Sequence, residues 1–267
     1  MKRFALVSAL MVSICSPAFA DDALKAAING AQRTPENITR DVYRHPDETL
    51  RFFGIRPDMK VVELAPGAGW YTEILAPYLR NDGLMIATAS DPASDNEQSK
   101  RGYQRFKQRL DARPAVFDKV TIGVFEPPRN IHFAANNSVD MVLTFRNIHN
   151  WIANSNGSVK AVFQSAFDAL KPGGVFGIVE HRLPENKEQD DRASSGYVHE
   201  TYVVQMAQSV GFKLVGKSEI NANPKDHADH EGGVWALPPT YANKDNNKAA
   251  YQAIGESDRM TLKFIKP

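Results

Sequence analysis

An apolar run, a glycine-bearing turn and an amphipathic segment follow one another between residues 59 and 79. Val61, Val62 and Leu64 form the apolar run, which is typical of a parallel strand covered on both faces. After the turn at 66–69, apolar residues recur at the spacing of a helix. The pattern therefore predicts a buried strand, a tight turn and a helix, and such a turn presents free backbone N–H groups to a ligand.

Strand and helix patterns alternate along the rest of the chain. Such alternation predicts an α/β fold, a doubly wound, Rossmann-like and mostly parallel sheet with helices on both faces. We expect seven strands, the last of them an edge strand because its apolar and polar residues alternate. The predicted strands cover 61–64, 84–89, 120–124, 138–145, 175–179, 212–220 and 259–266, and the main predicted helices cover 70–80, 95–111, 158–170 and 199–210.

Helical segments precede the first predicted strand, within residues 21–55. An alanine-rich stretch covers 23–31, and Pro35 and Pro46 each stand at the start of a further helix. Removing the first 20 of 267 residues leaves 247, and a hydrophobic content of 42% suffices for a normal core. We therefore expect a single domain over residues 21–267, with the helices of 21–55 as an N-terminal cap.

The first 20 residues have the three parts of a secretory signal peptide. Lys2 and Arg3 precede an apolar run over 4–14, and an Ala-Phe-Ala motif ends the segment at Ala20. The apolar run is shorter than the roughly 20 residues that a membrane-spanning helix needs. We expect cleavage after Ala20, a periplasmic or secreted protein, and no stable membrane anchor after cleavage.

Composition narrows the function classes further. The only cysteine, Cys15, lies in the segment to be removed, and the isoleucine before it does not suit lipoprotein processing. A disulfide scaffold and a zinc-thiolate site are therefore excluded in the mature chain. Removal of Lys2 and Arg3 takes the net charge from +1 to −1, and no long basic run with interleaved aromatic residues follows. A small molecule is the expected partner, and nucleic acid is not.

An acidic residue, Glu63, interrupts the first apolar run. A buried acid is costly unless something pairs with it, so a polar ligand group above the strand end is the economical explanation. A dinucleotide would favour G-x-G-x-x-G, but Thr72 replaces the third glycine when the count starts at Gly67. The alternative is an ordinary strand, turn and helix that bind no ligand.

The same stretch resembles motif I of class I S-adenosylmethionine (SAM) methyltransferases, an acid followed by alternating glycines. Glu63, Ala65, Gly67 and Gly69 lie on that pattern, with Ala65 in place of the usual first glycine. The segment 170–181, LKPGGVFGIVEH, also resembles that family. The resemblance implies the class I methyltransferase fold, with SAM as the cofactor and these four motif residues among its binding site.

The resemblance covers residues 46–267, and it is most specific at 59–79, 138–151 and 170–181. Within the family, the chain looks most like uncharacterised exported methyltransferase-like proteins of Gram-negative bacteria. Helices in front of the first strand often cap the cofactor cleft in this family. This makes Tyr43, Arg44 and His45 candidates for facing the substrate, although a solvated charged face with one buried tyrosine would also explain them.

Two residues after predicted strands are further candidates for holding the cofactor, because α/β proteins place their chemistry at the carboxyl ends of strands. Asp91 follows the second strand, about 20 residues after the glycine turn, where an acid accepts hydrogen bonds from a ribose diol. Its alternative role is a helix cap or a turn aspartate before Pro92. Asn147, after the fourth strand, is also assigned to the cofactor.

Two histidines are the candidate catalytic bases, His149 after the fourth strand and His181 at the end of the fifth. Methyl transfer needs orientation and, where the acceptor must lose a proton, a base such as neutral imidazole. Asn150, Trp151 and Glu180 are candidates for binding the acceptor, and the indole is also suited to a cation–π contact with the sulfonium. Either histidine has the alternative role of a hydrogen-bonded loop residue.

The segment 221–257 has no periodicity and is long for a connection. Histidines and carboxylates at 226–231 have the chemistry of a divalent-metal site, but such loop residues more often face water, and we assign no metal. Trp235 and Tyr241, with the prolines between them, favour a lid over the cleft.

Two functions are compatible with the sequence. The first is SAM-dependent transfer of a methyl group to an unidentified small molecule. The second is a non-catalytic periplasmic ligand-binding protein that retains the methyltransferase fold. Fold similarity alone does not decide between them, and export would separate the protein from SAM made in the cytoplasm.

Overall fold

The computed structural model describes residues 17–154 and 158–267, and these fold as one mixed sheet with helices on both faces. The predicted α/β class is confirmed. The strands are β1 (Lys60–Leu64), β2 (Leu84–Ala89), β3 (Thr121–Val124), β4 (Val139–Phe145), β5 (Leu170–Leu183), β6 (Val198–His199), β7 (Lys213–Ser218) and β8 (Arg259–Ile265). The helices are α1 (Pro17–Ile28), α2 (Pro35–Ile38), α3 (Asp41–Arg44), α4 (Pro46–Phe53), α5 (Thr72–Leu79), α6 (Glu97–Asp111), α7 (Pro114–Phe117), α8 (Ile148–Ala153), α9 (Ser158–Ala169), α10 (Glu200–Ser209) and α11 (Lys248–Ile254).

The sheet has the strand order β3-β2-β1-β4-β5-β8-β7, and the short β6 pairs separately with β5. Strands β1 to β5 are parallel, whereas β8 is antiparallel to both of its neighbours. Strand β1 pairs with β2 on one side and with β4 on the other, so the direction in which successive strands are added reverses at β1. In α/β sheets, ligands bind outside the carboxyl ends of strands at such a switch point.

The last strand corrects one prediction. The pattern over 259–266 predicts an edge strand, but β8 lies between β5 and β7, and β7 occupies the edge. Polar and apolar residues alternate along β8, but its polar residues are not all exposed. Arg259 and Thr261 are buried, because the guanidinium pairs with Glu256 and the hydroxyl accepts a hydrogen bond from Asn221.

Two apolar cores cover the two faces of the sheet. On one face α1, α4 and α5 bury residues such as Leu50 and Ile74, and on the other face α8, α9 and α10 bury residues such as Phe163. Neighbouring residues of β1 point to opposite cores, Val61 to the first and Val62 to the second. This double burial explains why β1 is a continuous apolar run.

Helices α1 to α4 precede β1, within the region where the sequence predicts an N-terminal cap. Helix α1 packs against α5 and continues across the expected cleavage position after Ala20. The charged and apolar parts of the predicted signal peptide, with Cys15, lie at residues 1–16, outside the described residues. Within the described ranges, no helix is both long and apolar enough to span a membrane.

Candidate active site

Two cavities open at the carboxyl ends of the parallel strands. The first, the turn cavity, has a volume of about 480 Å³ and is lined by the turn after β1, the end of β2 and one side of α6. The second, the arginine cavity, has a volume of about 320 Å³ and is lined by α3, the exit of β4, β5 and the segment before β8. The loop after β4 contributes to both, with Asn147 lining the turn cavity and Arg146, His149 and Asn150 lining the arginine cavity.

The turn after β1 leaves its backbone open to the turn cavity. Three of its residues have left-handed backbone angles, with φ of 48° at Ala65, 58° at Gly67 and 80° at Gly69. A Cβ placed on Gly67 would meet no atom within 4 Å, so the space beside this glycine is open. Ala65 is strained relative to glycine, and its N–H already donates to the Thr88 hydroxyl at 2.8 Å.

Glu63 lies behind the turn and does not line the cavity. Its side chain is buried, and the Thr72 hydroxyl donates to one carboxylate oxygen at 2.7 Å. Burial raises the pKa of this carboxyl to about 7, although the hydrogen bond from Thr72 and the charge of Arg146 act to lower it. Within the described residues Glu63 is paired with Thr72, the residue that replaces the third glycine, so a ligand is not needed to explain the buried acid.

The far wall of the turn cavity is apolar and basic. Phe125, Arg105 and Arg109 line it, and none of its described lining residues is acidic. Asp91 does not reach the cavity, because its carboxylate accepts hydrogen bonds from the Ala93 N–H and the Asn130 amide. These hydrogen bonds match the alternative role of Asp91, that of a turn residue after β2.

Asn147 connects the ends of β1 and β4. Its side-chain amide donates to the Leu64 carbonyl at 3.1 Å and to the Thr144 hydroxyl at 3.2 Å. Directly before it, Arg146 has a left-handed φ of 62°, an uncommon angle for a residue other than glycine. This turn directs the loop so that its successive residues reach both cavities.

His149 is held by a buried carboxylate in the wall of the arginine cavity. Its Nδ1 lies 3.0 Å from Oε1 of Glu180, which is fully buried. The same carboxylate accepts hydrogen bonds from the N–H groups of Ile148 at 2.5 Å and His181 at 2.9 Å. With Glu180 ionised, Nδ1 carries the imidazole proton, which leaves Nε2 as the nitrogen able to accept another.

His181 lies beside His149, with 5.4 Å between the ring centres. Its Nδ1 is 2.5 Å from the Ser257 hydroxyl. Burial, the neighbouring His149 and the arginines around the cavity lower the pKa of His181 well below its usual value. This imidazole is therefore neutral at neutral pH.

Among the described residues, Glu256 supplies the single carboxylate that lines the arginine cavity, and four arginines surround it. Arg40 Nε lies 2.5 Å and Arg44 Nε 3.2 Å from its oxygens, Arg259 also pairs with it, and Arg146 lies 3.8 Å away. Burial acts to raise the pKa of Glu256, but the arginines outweigh this and lower it to about 2.

Three predicted substrate residues lie outside both cavities. Trp151 is buried in the core, in edge-to-face contact with Phe125 at 5.8 Å, because α8 turns its indole inwards. Tyr43 is 39% exposed and lines an outer groove, while its carbonyl accepts a hydrogen bond from Arg259. His45 joins α3 to α4 with φ of 41°. Arg44, named with them from the sequence, does line the arginine cavity.

The segment 221–257 forms a wall of the arginine cavity through Trp235, Pro238 and Pro239. Within its histidine and carboxylate cluster, the buried Asp226 connects parts of the fold. It accepts hydrogen bonds from the Tyr197 hydroxyl and the Asp258 N–H. Among the described residues, the group with metal-ligand spacing is instead His149, Glu180 and His181.

Sequence reasoning missed most of the charged residues of this cavity. Arg40, Arg146, Arg259 and Glu256 line it, and they come from widely separated parts of the chain. Arg146 carried a sequence signal, since it directly follows a predicted strand. Arg259 did not, because its burial depends on the position of β8 inside the sheet.

No protein-family model matches the chain, and no curated protein matches it. Solved structures do match the chain. A SAM-dependent methyltransferase from Aquifex aeolicus is 14% identical with a TM-score of 0.55, over 92% of this chain and 98% of that one. The chain has the fold of class I methyltransferases.

Two further solved structures show the range of that fold. A geranyl diphosphate C-methyltransferase from Streptomyces coelicolor A3(2), in complex with Mg²⁺, geranyl diphosphate and S-adenosyl-L-homocysteine (SAH), is 12% identical with a TM-score of 0.54, over 91% of this chain and 88% of that one. The cyclase SpnF is 12% identical with a TM-score of 0.55, over 94% of each chain. At such identities the likeness establishes the fold and not the reaction.

Proposed function

We propose that this protein is a SAM-dependent methyltransferase that acts on a small molecule, with SAM in the turn cavity and the acceptor in the arginine cavity. The observation that carries the proposal is the position of the two cavities. They lie side by side at the switch point of a class I methyltransferase sheet, and one loop after β4 lines both. SAM, when bound, supplies a methyl group activated by a sulfonium.

The residues of the turn cavity fit much of SAM. The backbone beside Gly67 is open to close approach, Phe125 offers an apolar surface for the adenine, and Asn147 lines the same cavity. Arg105 and Arg109 supply positive charge suited to the carboxylate of the methionine part. The ribose lacks the acid that the family usually places at the end of β2, where this chain has Ala89.

His149 is the proposed general base. Its Nδ1 is fixed by Glu180, and the ring lines the acceptor cavity. Nε2 of His149 would take the proton from an acceptor that must lose one on methylation. Glu180 positions the ring and stabilises the imidazolium that forms. His181 is a second imidazole in reach of the same cavity, and its low pKa keeps it available as a neutral group.

The second candidate function is ligand binding without transfer. It is favoured by the absence of acidic residues among the described residues that line the turn cavity, since a ribose-binding carboxylate is part of the usual cofactor site. The fold does not by itself require methyl transfer, because SpnF, a structure with a similar fold, is named a cyclase.

Labelled SAM separates the two candidates. The mature protein is incubated with SAM carrying a labelled methyl group and the small-molecule fraction of a periplasmic extract, and the label is followed by chromatography. The proposal predicts label in one or a few small molecules, together with SAH. Binding of SAM without label in any acceptor, across extracts, would favour the non-catalytic function.

A further inference from the structure

The arginine cavity holds more positive charge than its carboxylates offset. Arg40, Arg44, Arg146 and Arg259 line it, against the single lining carboxylate of Glu256. Buried charges are costly unless they are paired, so an excess of guanidinium groups in a partly enclosed space is an unusual arrangement.

Arg44 shows this excess most directly. Its side chain is 3% exposed, and its Nε donates to Glu256 at 3.2 Å. Its Nη1 is buried without a hydrogen-bond partner, although the side chain lines the cavity. A charged donor left unsatisfied in this way is destabilising, and an acceptor in the cavity would satisfy it.

Arg146 is also incompletely paired. Within the part of the chain that the structure describes, its one ion pair with a carboxylate is the 3.8 Å approach to Glu256, longer than a hydrogen bond. Burial, together with the charge of Arg259, lowers the pKa of Arg146 to about 10. The guanidinium remains charged at neutral pH, but burial and the neighbouring positive charge disfavour its charged form. A nearby anion would stabilise that form.

A cation is the wrong occupant for this cavity. His149, Glu180 and His181 have metal-ligand spacing, but Glu180 already accepts three hydrogen bonds. The positive charges of Arg259, Arg146 and Arg44 already disfavour a proton on His181. They would disfavour a divalent cation at the same place more strongly, because the repulsion scales with its charge.

We infer that the arginine cavity binds a dianionic oxyanion of the phosphate-ester class, and that the methyl acceptor carries this group. When the carboxylate of Glu180 behind His149 is counted with that of Glu256, the four guanidinium groups still exceed the carboxylates by two charges. A phosphate monoester is nearly a dianion at neutral pH, and guanidinium groups bind its oxygens with paired, charge-assisted hydrogen bonds. Binding of the oxyanion follows from the cavity alone, whereas its assignment to the acceptor rests on the proposed function.

Inorganic phosphate is the probe, titrated into the mature protein by calorimetry in a chloride buffer of low ionic strength. Saturable binding is expected, with acetate at least tenfold weaker because it carries one charge. Arg146→Gln and Arg40→Gln should each weaken phosphate binding by roughly tenfold or more, the usual value of a hydrogen bond to a charged group. Both side chains are partly exposed, so neither replacement is expected to unfold the protein.

Arg105→Gln is the matched control, because Arg105 lines the turn cavity and not the arginine cavity. It should leave phosphate affinity unchanged. The inference is overturned if folded wild-type protein binds no phosphate, if acetate binds as tightly, or if Arg105→Gln removes binding while Arg146→Gln and Arg40→Gln do not. Titration of SAM in parallel keeps the two proposals apart. Phosphate binding without SAM binding contradicts the proposed function alone, and SAM binding without phosphate binding contradicts this inference alone.

Discussion

Burial of the Glu63 carboxyl couples the stability of the fold to pH. Its unfolded pKa of 4.5 rises to about 7 in the folded protein. Between these values the folded state binds more protons than the unfolded state, so the contribution of Glu63 is present below pH 4.5 and is lost as the pH rises through 7. The loss is on the order of 3 kcal/mol for a shift of this size.

Glu63→Gln removes this pH dependence. The stability of the variant relative to wild type should therefore rise between pH 4.5 and pH 7, and thermal unfolding across that range measures it. Glu256→Gln is the control, because the pKa of Glu256 is lowered to about 2 and its contribution is lost only as the pH falls below 4.5. A difference between wild type and Glu63→Gln that stays constant over the range would contradict the assignment.

His149 carries the proposed proton transfer. His149→Ala should lower methyl transfer by roughly 10²- to 10⁴-fold, the usual contribution of a general base, and should leave SAM affinity unchanged because the ring lines only the arginine cavity. His227→Ala is the control, since His227 is exposed on the segment before β8. Initial rates with saturating SAM give the comparison, and transfer by His149→Ala at the wild-type rate would make His181 the next candidate.

Site residues were predictable where the sequence places them directly after a strand. His149 and Asn150 in the arginine cavity and Asn147 in the turn cavity fall in this class. Trp151 was misplaced, because one further residue along α8 faces the core instead of the cavity. The direction of a side chain on a short helix depends on how that helix packs, which periodicity over so few residues does not reveal.

At the scale of single elements, the turn between β1 and α5 lines the cavity proposed for the cofactor. Gly67→Val should remove SAM binding, because a branched side chain would fill the open space where the ligand would approach. A Cβ on Gly69 would instead meet the side chain of Thr72, and Gly69 does not line the turn cavity. Both positions have positive φ, so some loss of stability is also expected.

Gly173→Val provides the matched control for that backbone cost. Gly173 lies in β5 with φ of 78°, and, as at Gly67, a Cβ there meets no atom within 4 Å. It lines neither cavity. Calorimetry should show SAM binding by Gly173→Val and none by folded Gly67→Val; equal affinity in both would defeat the assignment of the turn.

Most elements were predictable because their patterns are long and their ends carry turn residues. The strand-turn-helix of β1 and α5 and the strands β2, β4 and β7 lie where the sequence places them. The position of β8 was not predictable, since its polar residues are buried by partners distant in sequence, such as Asn221 for Thr261. Strand order depends on such long-range pairs, and alternation within one strand does not contain them.

At the scale of the whole molecule, removal of the first 20 residues should leave the fold intact. Cleavage after Ala20 would shorten α1 at its start, while Leu24 and Ile28, which are buried in the core beside α5, remain in the mature chain. Intact-mass analysis of the periplasmic fraction is expected to show a chain that begins at Asp21. A full-length chain, or a lipid-modified one that begins at Cys15, would overturn the predicted processing.

The fold also brings together, in the arginine cavity, residues that are far apart in the sequence. The cap supplies Arg40 and Arg44, β8 supplies Arg259, and the segment before it supplies Glu256, so the arginine cavity exists only in the folded chain. The turn cavity, by contrast, lies beside a motif of consecutive residues. This difference in sequence separation explains why most charged residues of the arginine cavity were not predictable from the sequence.

Binding of SAM by the mature protein tests the central claim most directly. Purified protein that begins at Asp21 is titrated with SAM and, separately, with SAH, and both isotherms are recorded by calorimetry with Gly173→Val and Gly67→Val alongside. We expect saturable binding of both ligands, at one site per chain, by wild type and Gly173→Val, and no binding by Gly67→Val. Absence of SAM binding by folded wild-type protein would contradict the claim.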